Sequence, residues 1–380
     1  MFSRARAVSR NFTATARSSS SSSSIVPSFS RTRPQSSSCP SFLFSLSRPF
    51  SSPLHTSGRA AGTPAGTGAT LPKGITVTRG TAIRTRQTGT ATMSTTAAAA
   101  RRLEGKTIVI TGASSGIGRS CAFEFARTAP RDLRLVLTAR RADRLREIAD
   151  QIRAEVGDGV RVLPLELDVS DPAQVRGFVD RLPDEFRDVD VLVNNAGLVK
   201  GGMYAMRLVP LLWRLVAAGM VLIAEDDMNI MFQTNVTGLI NMTQAILPIF
   251  KARPDGGAGD IINIGSIAGR EPYAGGSIYC ATKAAVRAFT DALRKELIDT
   301  RIRVMEIDPG QVETEFSIVR YYGDKAKADA VYAGCDPLTP DDIAEVVVFV
   351  ASRRQNVVVA DTLVFPSHQA GAGVLYRRPT

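Results

Sequence analysis

The first 103 residues of this 380-residue chain contain no aspartate and no glutamate. They hold 14 of its 47 Lys and Arg residues, which leaves 33 basic residues facing all 36 acidic ones further on. The formal charge of +11 is thus a property of the opening stretch and gives no support to nucleic-acid binding by the folded part. Histidine occurs twice, and the four cysteines, Cys39, Cys121, Cys280 and Cys335, lie far apart without C-x-x-C or metal-ligand spacing. That composition excludes a zinc site, so no metal is expected, and it points to a reducing compartment without structural disulfides. Long clean apolar runs are missing too. The strongest, residues 202–224, is interrupted by Arg207, Pro210 and Arg214. An arginine at mid-bilayer costs ~3 kcal/mol, so no membrane span is expected.

Arginine and serine fill the opening instead. MFSRARAVSRNFTATARSSSSSSS spaces its arginines among apolar residues, as mitochondrial transit peptides do, and Arg48-Pro49-Phe50-Ser51-Ser52 resembles an arginine-led processing site. A start at Met93, followed by Arg101-Arg102-Leu103-Glu104-Gly105-Lys106, would make a cytosolic enzyme. Of the two readings, mitochondrial import is the one the acid-free opening favours. Residues 1–100 read as a disordered basic tail, and 103–380 as one folded domain.

In that domain short β-branched runs alternate with helical stretches. The pattern predicts strands over 107–111, 133–138, 160–165, 189–193, 261–264, 302–307 and 362–365. Helices are expected after Gly118 and over 142–156, 171–182, 226–252, 279–300 and 341–352. Apolar strands separated by helices imply an α/β fold: a doubly wound parallel sheet of about seven strands, covered on both faces.

The first strand runs into Gly112-Ala-Ser114-Ser-Gly116-Ile117-Gly118 and then a helix. Glycines there let the backbone turn sharply and approach a pyrophosphate at the helix N-terminus, so a dinucleotide site is expected. The second strand ends at Arg140 and Arg141, where an NAD-specific site would place a carboxylate for the ribose 2′-hydroxyl. Two guanidiniums suit a 2′-phosphate, which makes NADP the expected cofactor. Asp168 stands where it could accept from the adenine amino group or cap the following helix. The small residues Asn195, Ala196 and Gly197 follow the fourth strand, where backbone can pass beside a cofactor. Tyr279 and Lys283 are four apart and share a helix face. A phenol titrating near ~10 is a poor base at neutral pH, and a nearby cation favours its phenolate. Tyr279 is therefore the expected general acid/base, and Ser266, at a strand end, the donor to the substrate oxygen.

Gly112–Gly118, the Asn-Asn-Ala-Gly run, Asn235 in Asn-Val-Thr-Gly, Ser266, Tyr279 and Lys283, in this order, resemble the short-chain dehydrogenase/reductase family from about Gly105 to the end. The resemblance implies a Rossmann fold and alcohol or carbonyl redox chemistry. It assigns Asn235 to a water relay with Lys283, and Tyr279 and Lys283 to the cofactor as well. It makes Pro309, Gly310, Val312 and Thr314 the loop on the nicotinamide amide. Family members pair helices like those at 226–252 and 279–300, which implies a homodimer or homotetramer. The stretch from Thr314 through Arg320-Tyr-Tyr-Gly to Pro340 is similar to NADP-dependent 3-hydroxy acid dehydrogenases, whose small-molecule substrates include serine and allo-threonine. Arg320, in the loop after the sixth strand, is the expected partner of the substrate carboxylate. The alternatives are a carbonyl reductase of ketones and dicarbonyls, and an NADP(H)-binding protein that has lost turnover.

The apolar insert at 202–224 fits neither the alternation nor the family's shorter connection. Codons for Gly202-Met203-Tyr204 can read GGTATGTAT, which contains a fungal-type splice donor, so translated intron sequence is expected. Transcript reads should join the codon of Gly201 or Gly202 directly to a downstream exon, and uniform read coverage of the insert would overturn this reading.

Overall fold

The computed structural model describes residues 95–201 and 223–379. The targeting and processing signals of the opening, and nearly all of the apolar insert, lie outside the described residues. The folded body starts earlier than residue 103. A helix spans Thr95–Leu103, and Ala99 and Leu103 are buried, Leu103 in the main core. The alanine run that looks like low-complexity tail is a good helix former with an apolar face to bury.

Among the described residues the strands are β1 Thr107–Thr111, β2 Leu133–Ala139, β3 Val160–Glu166, β4 Val191–Asn194, β5 Ala258–Ile264, β6 Arg301–Pro309 and β7 Asp361–Val364. They form one parallel sheet in the order β3-β2-β1-β4-β5-β6-β7. Successive residues serve opposite cores. Ile108 and Ile110 of β1 pack with helices Gly116–Thr128 and Pro340–Ala351, while Val109 packs with Phe178, Met242, Phe250 and Leu293 on the other face. Because both faces are dry, the central strands read as continuous apolar runs. The chain leaves β1 toward β2 and β3, then crosses back to β4 and beyond. The connections that leave the C-terminal ends of β1 and β4 therefore run in opposite directions and open a crevice above them.

Two expected helices are interrupted. The stretch 171–182 becomes a single turn, Pro172–Arg176, ended by Gly177, then a 3-10 turn Val179–Arg181, with a further short helix at Asp184–Arg187. Val175, Phe178, Leu182 and Phe186 all enter one core, as the helical spacing directs, while Gly177 and Pro183 break the helix between them. The stretch 226–252 is helical throughout but passes through a π-turn at Gln233–Gly238, between Glu225–Phe232 and Leu239–Lys251. Among the described residues no helix is long and apolar enough to cross a membrane.

The β5–β6 register, which sets the height of the site, is fixed by a buried ion pair. Asp260 and Arg303 face each other across the two strands at 1% and 2% exposure. Arg303 donates Nε to Asp260 Oδ1 at 2.7 Å and a terminal nitrogen to Oδ2 at 2.5 Å. It also donates to the carbonyls of Ala351 (2.9 Å) and Val357 (3.0 Å), so one guanidinium ties both strands to the end of the Pro340–Ala351 helix. Removing one member of such a pair leaves a buried charge uncompensated. Asp260→Ala is expected to cost about 3–5 kcal/mol, read as a lower urea midpoint with an unchanged slope.

Candidate active site

The crevice is a cleft of about 420 Å³, within the usual range for ligand sites. Its floor is the glycine turn. Gly112 has φ +67°, and a β-carbon on it would stand 2.8 Å from Ala196 Cα and 3.0 Å from Asn195 Nδ2. The ends of β1 and β4 can meet only because that carbon is missing. Asn195 then fastens the two turns, donating Nδ2 to Thr111 O (2.9 Å) and Gly112 O (3.2 Å). Thr111 Oγ1 accepts from the Asn195 and Ala196 amides, both at 3.0 Å. Ser114, Gly116, Ile117 and Gly197 line the same cleft, as do Pro309, Gly310, Val312 and Thr314 on its far wall.

At the end of β2, Arg140 is exposed and 4.0 Å from Asp168 Oδ2. Arg141 lies over the glycine turn, donating to Ser114 Oγ (3.1 Å) and Ser115 Oγ (2.8 Å), with Glu315 Oε2 at 3.1 Å. Two guanidiniums and two hydroxyls beside a turn of free backbone amides form a donor set suited to a phosphorylated ribose and a pyrophosphate. Of the two roles open to Asp168, helix capping falls to Asp171, which accepts from Ala173 N and Gln174 N. Asp168 caps only its own turn, through Ser170.

The reacting groups gather at the other end. The Ser277–Glu296 helix presents Tyr279 and Lys283 toward the end of β5, where Ser266 lines the same cleft. Lys283 is buried at 7% exposure, and its Nζ donates to Ile264 O at 2.7 Å. Burial brings this ammonium down to about 8, against the pull of Asp308 and Glu306. Burial pushes the Tyr279 phenol up, and Tyr273 adds to this, while Ser266 and Arg320 pull it down. The expectation of a phenol lowered by the neighbouring cation is therefore corrected: desolvation outweighs it. The Lys283 nitrogen stands 5.9 Å from the ring centre and is committed to a carbonyl.

Asn235 sits in the π-turn, 2% exposed. Its amide accepts from Leu198 N (2.8 Å) and donates to Leu198 O (2.8 Å) and Thr282 Oγ1 (3.1 Å). These bonds make its side chain a clamp between the loop after β4 and the helix of Tyr279. Arg320 ends a short helix, Phe316–Arg320, so the loop expected there is corrected as well. It donates Nε to Gly201 O (3.2 Å), lies over the rings of Tyr273 and Tyr321, and has no salt bridge among the described residues. It acts on Tyr279 by charge without lining the cleft, whose wall from this helix is Phe316 and Val319.

With this geometry established, comparison with known proteins is decisive. The family model described as short chain dehydrogenase matches residues 106–321. The chain belongs to the short-chain dehydrogenase family. It is similar to a NADP-dependent 3-hydroxy acid dehydrogenase of Schizosaccharomyces pombe, 55% identical over 73% of this chain and 98% of that protein. It is also similar to sulfoacetaldehyde reductase 2 of Chromohalobacter salexigens, 39% identical over 69% of this chain and 95% of that protein. Among solved structures, the closed form of a serine dehydrogenase complexed with NADP+ matches with a TM-score of 0.60 at 37% identity, covering 72% of this chain and 99% of that one.

Reading the sequence alone missed Ser115 and Glu315, the partners of Arg141, and Thr111, which joins the two turns. Nothing local marks them, because each acquires its role from a residue far away in sequence. Gly118 supplies a direct test of the floor. A β-carbon there would lie 2.4 Å from Asn195 Nδ2 and 2.5 Å from Gly112 O, so backbone would have to yield. Gly118→Ala is expected to lower stability by about 1–3 kcal/mol and to weaken dinucleotide binding, measured by thermal unfolding and by fluorescence titration.

Proposed function

We propose that the chain is an NADP(H)-dependent oxidoreductase that interconverts small 3-hydroxy acids or 3-hydroxy amino acids, serine and allo-threonine among them, with their 3-oxo acids. The observation that carries this reading is the grouping of Ser266, Tyr279 and Lys283 in the same cleft that Arg140 and Arg141 flank at its other end. Gly112, Gly116 and Gly118 would pass the pyrophosphate, Arg140 and Arg141 would hold the 2′-phosphate, and Pro309–Thr314 would border the nicotinamide. When bound, the nicotinamide accepts or supplies the hydride.

The chain's own residues handle the proton. Ser266 donates to the substrate oxygen and stabilises charge developing on it. In reduction the protonated Tyr279, which its burial favours, delivers a proton to the carbonyl oxygen. In oxidation the phenolate takes the hydroxyl proton, and Ser266 and Arg320 are the groups that favour the phenolate. Leu198, Phe316 and Val319 give the substrate end apolar walls, and the largely buried Lys283 lines the same cleft.

Substrate class follows from charge. The S. pombe relative is named for hydroxy acids and the Chromohalobacter relative for a sulfonated aldehyde, so each carries an anion near the reacting carbon. Arg320, near Tyr279 and without an acidic partner among the described residues, is the cation that supports the same preference here. Replacing it removes a charge-assisted bond worth about 1.5–3 kcal/mol. Arg320→Ala is expected to raise KM for a 3-hydroxy acid about 10- to 100-fold with NADP+ while leaving turnover of a neutral secondary alcohol in place. An unchanged KM in that panel would remove the assignment.

A further inference from the structure

Behind the reacting groups lies a set of buried charges that the proposed chemistry does not use. Tyr279, Lys283 and Arg287 are spaced by four along one helix and form a stripe on the face turned to the sheet. Opposite them, β6 carries Glu306 and Asp308, two apart and so on one face of the strand, at 2% and 1% exposure. Arg270, just after the 3-10 turn Ile267–Gly269, and Asp361, at the start of β7, complete the group.

Its charges divide into a closed part and an open part. Asp308 Oδ1 accepts from the Ser266 amide at 2.8 Å, and its Oδ2 accepts from Arg270 Nε at 2.7 Å and from Arg287 at 3.3 Å. Asp361 binds both of the same guanidiniums, Arg287 at 2.9 Å and Arg270. Two cations thus share two carboxylates. Outside this balanced square remain Glu306 and Lys283. Glu306 lies against Asp308: a β-carbon on Gly265 would stand within 2.5 Å of an oxygen of each carboxyl, and two buried carboxyl groups this close are tolerable only if one carries a proton. Asp308 accepts on both oxygens, so the proton belongs to Glu306. The Glu306 Oε1 atom is buried without a partner, and Gly265 borders it so closely that a β-carbon there would stand 2.5 Å from that oxygen. Two cations act on Glu306, Arg287 first and then Lys283, which is one helical turn from Arg287 and bound to the carbonyl of Ile264, the residue before Gly265.

We propose that Glu306 is the reserve counter-ion of Lys283, a positioning residue that releases its own proton in preference to the lysine's and so keeps the ammonium charged at alkaline pH. Burial raises Glu306 to about 8, with Asp308 adding to the rise, and burial lowers Lys283 to about 8. Their ranges overlap, so the two groups compete for one proton. When the carboxyl gives up its proton, the new negative charge favours the ammonium. A neutral side chain at 306 cannot do so, and Lys283 then becomes neutral at lower pH.

The test uses the full-length protein with isotope-labelled lysine and glutamate side chains. In the cofactor-free wild type, the Glu306 carboxyl carbon is expected to titrate near 8, as its burial directs. In Glu306→Gln the Lys283 Nζ midpoint is expected to fall by about one pH unit, and Glu306→Asp to restore most of it. In the oxidising direction, the loss of activity at high pH should move down by the same amount in Glu306→Gln. A Glu306 midpoint below 6 in the wild type overturns the proposal, and that measurement needs no variant to fold. An unmoved Lys283 midpoint in Glu306→Gln, or a loss of activity equal at every pH, also overturns it and leaves a structural role.

Discussion

Everything at this site depends on main chain approaching main chain more closely than a β-carbon permits. Gly112 brings the end of β1 to within contact of Ala196, which follows β4, and Gly118 lets the first helix begin directly on that junction. Asn195 and Thr111 then hold the closed contact with side-chain bonds. Without this convergence the sheet would still form, because its two cores are built from the strand faces and not from the strand ends. The cleft would not form in the same place. Sheet and site are thus stabilised by different residues, and substitutions in one need not report on the other.

The second constraint is desolvation at the end of β5. A tyrosine, a lysine and the carboxyl groups of Glu306 and Asp308 occupy a small region with little water, bordered by the part-exposed Arg270 and Arg287 and the exposed Asp361. Buried charges are tolerable only when partners are close, and here the Asp308 carboxylate serves three of them at once: the Ser266 amide, Arg270 and Arg287. The position of Ser266 is therefore linked to an ionic framework deeper in the fold.

Much of this was legible in the sequence, and the reasons are specific. The strand runs were visible because a sheet buried on both faces needs apolar residues at every position. The glycine turn and the pairing of Tyr279 with Lys283 were visible because their meaning is local, a turn and a helical repeat of four. Arg140 and Arg141 were visible by contrast, as cations where a carboxylate was looked for. Features that depend on distant partners could not be read. The π-turn at Gln233–Gly238 looks like ordinary helix in sequence, and Gly238 fits because its α-carbon passes close to the Val169 carbonyl. Asn235 announced itself through its neighbours, yet its bonds run to Leu198 and Thr282. Glu306 was hidden in a β-strand, where an isolated acid looks like a surface residue until β5 and the Tyr279 helix are laid over it.

The contact between Arg141 and Glu315 changes what cofactor recognition means here. Arg141 is not a bare cation awaiting a phosphate, because a carboxylate from the opposite wall of the cleft already occupies part of its fork. Both side chains are about half exposed, so the pair contributes at most ~1 kcal/mol. In the role proposed for Arg141, a phosphorylated ribose would trade one anion for a better one, and the selectivity at this point would be the margin between a carboxylate and a phosphate. The same exchange runs in reverse on departure. Glu315 can take back the guanidinium as the phosphate leaves, which gives dinucleotide release a built-in competitor and ties discrimination to exchange rate at a single residue.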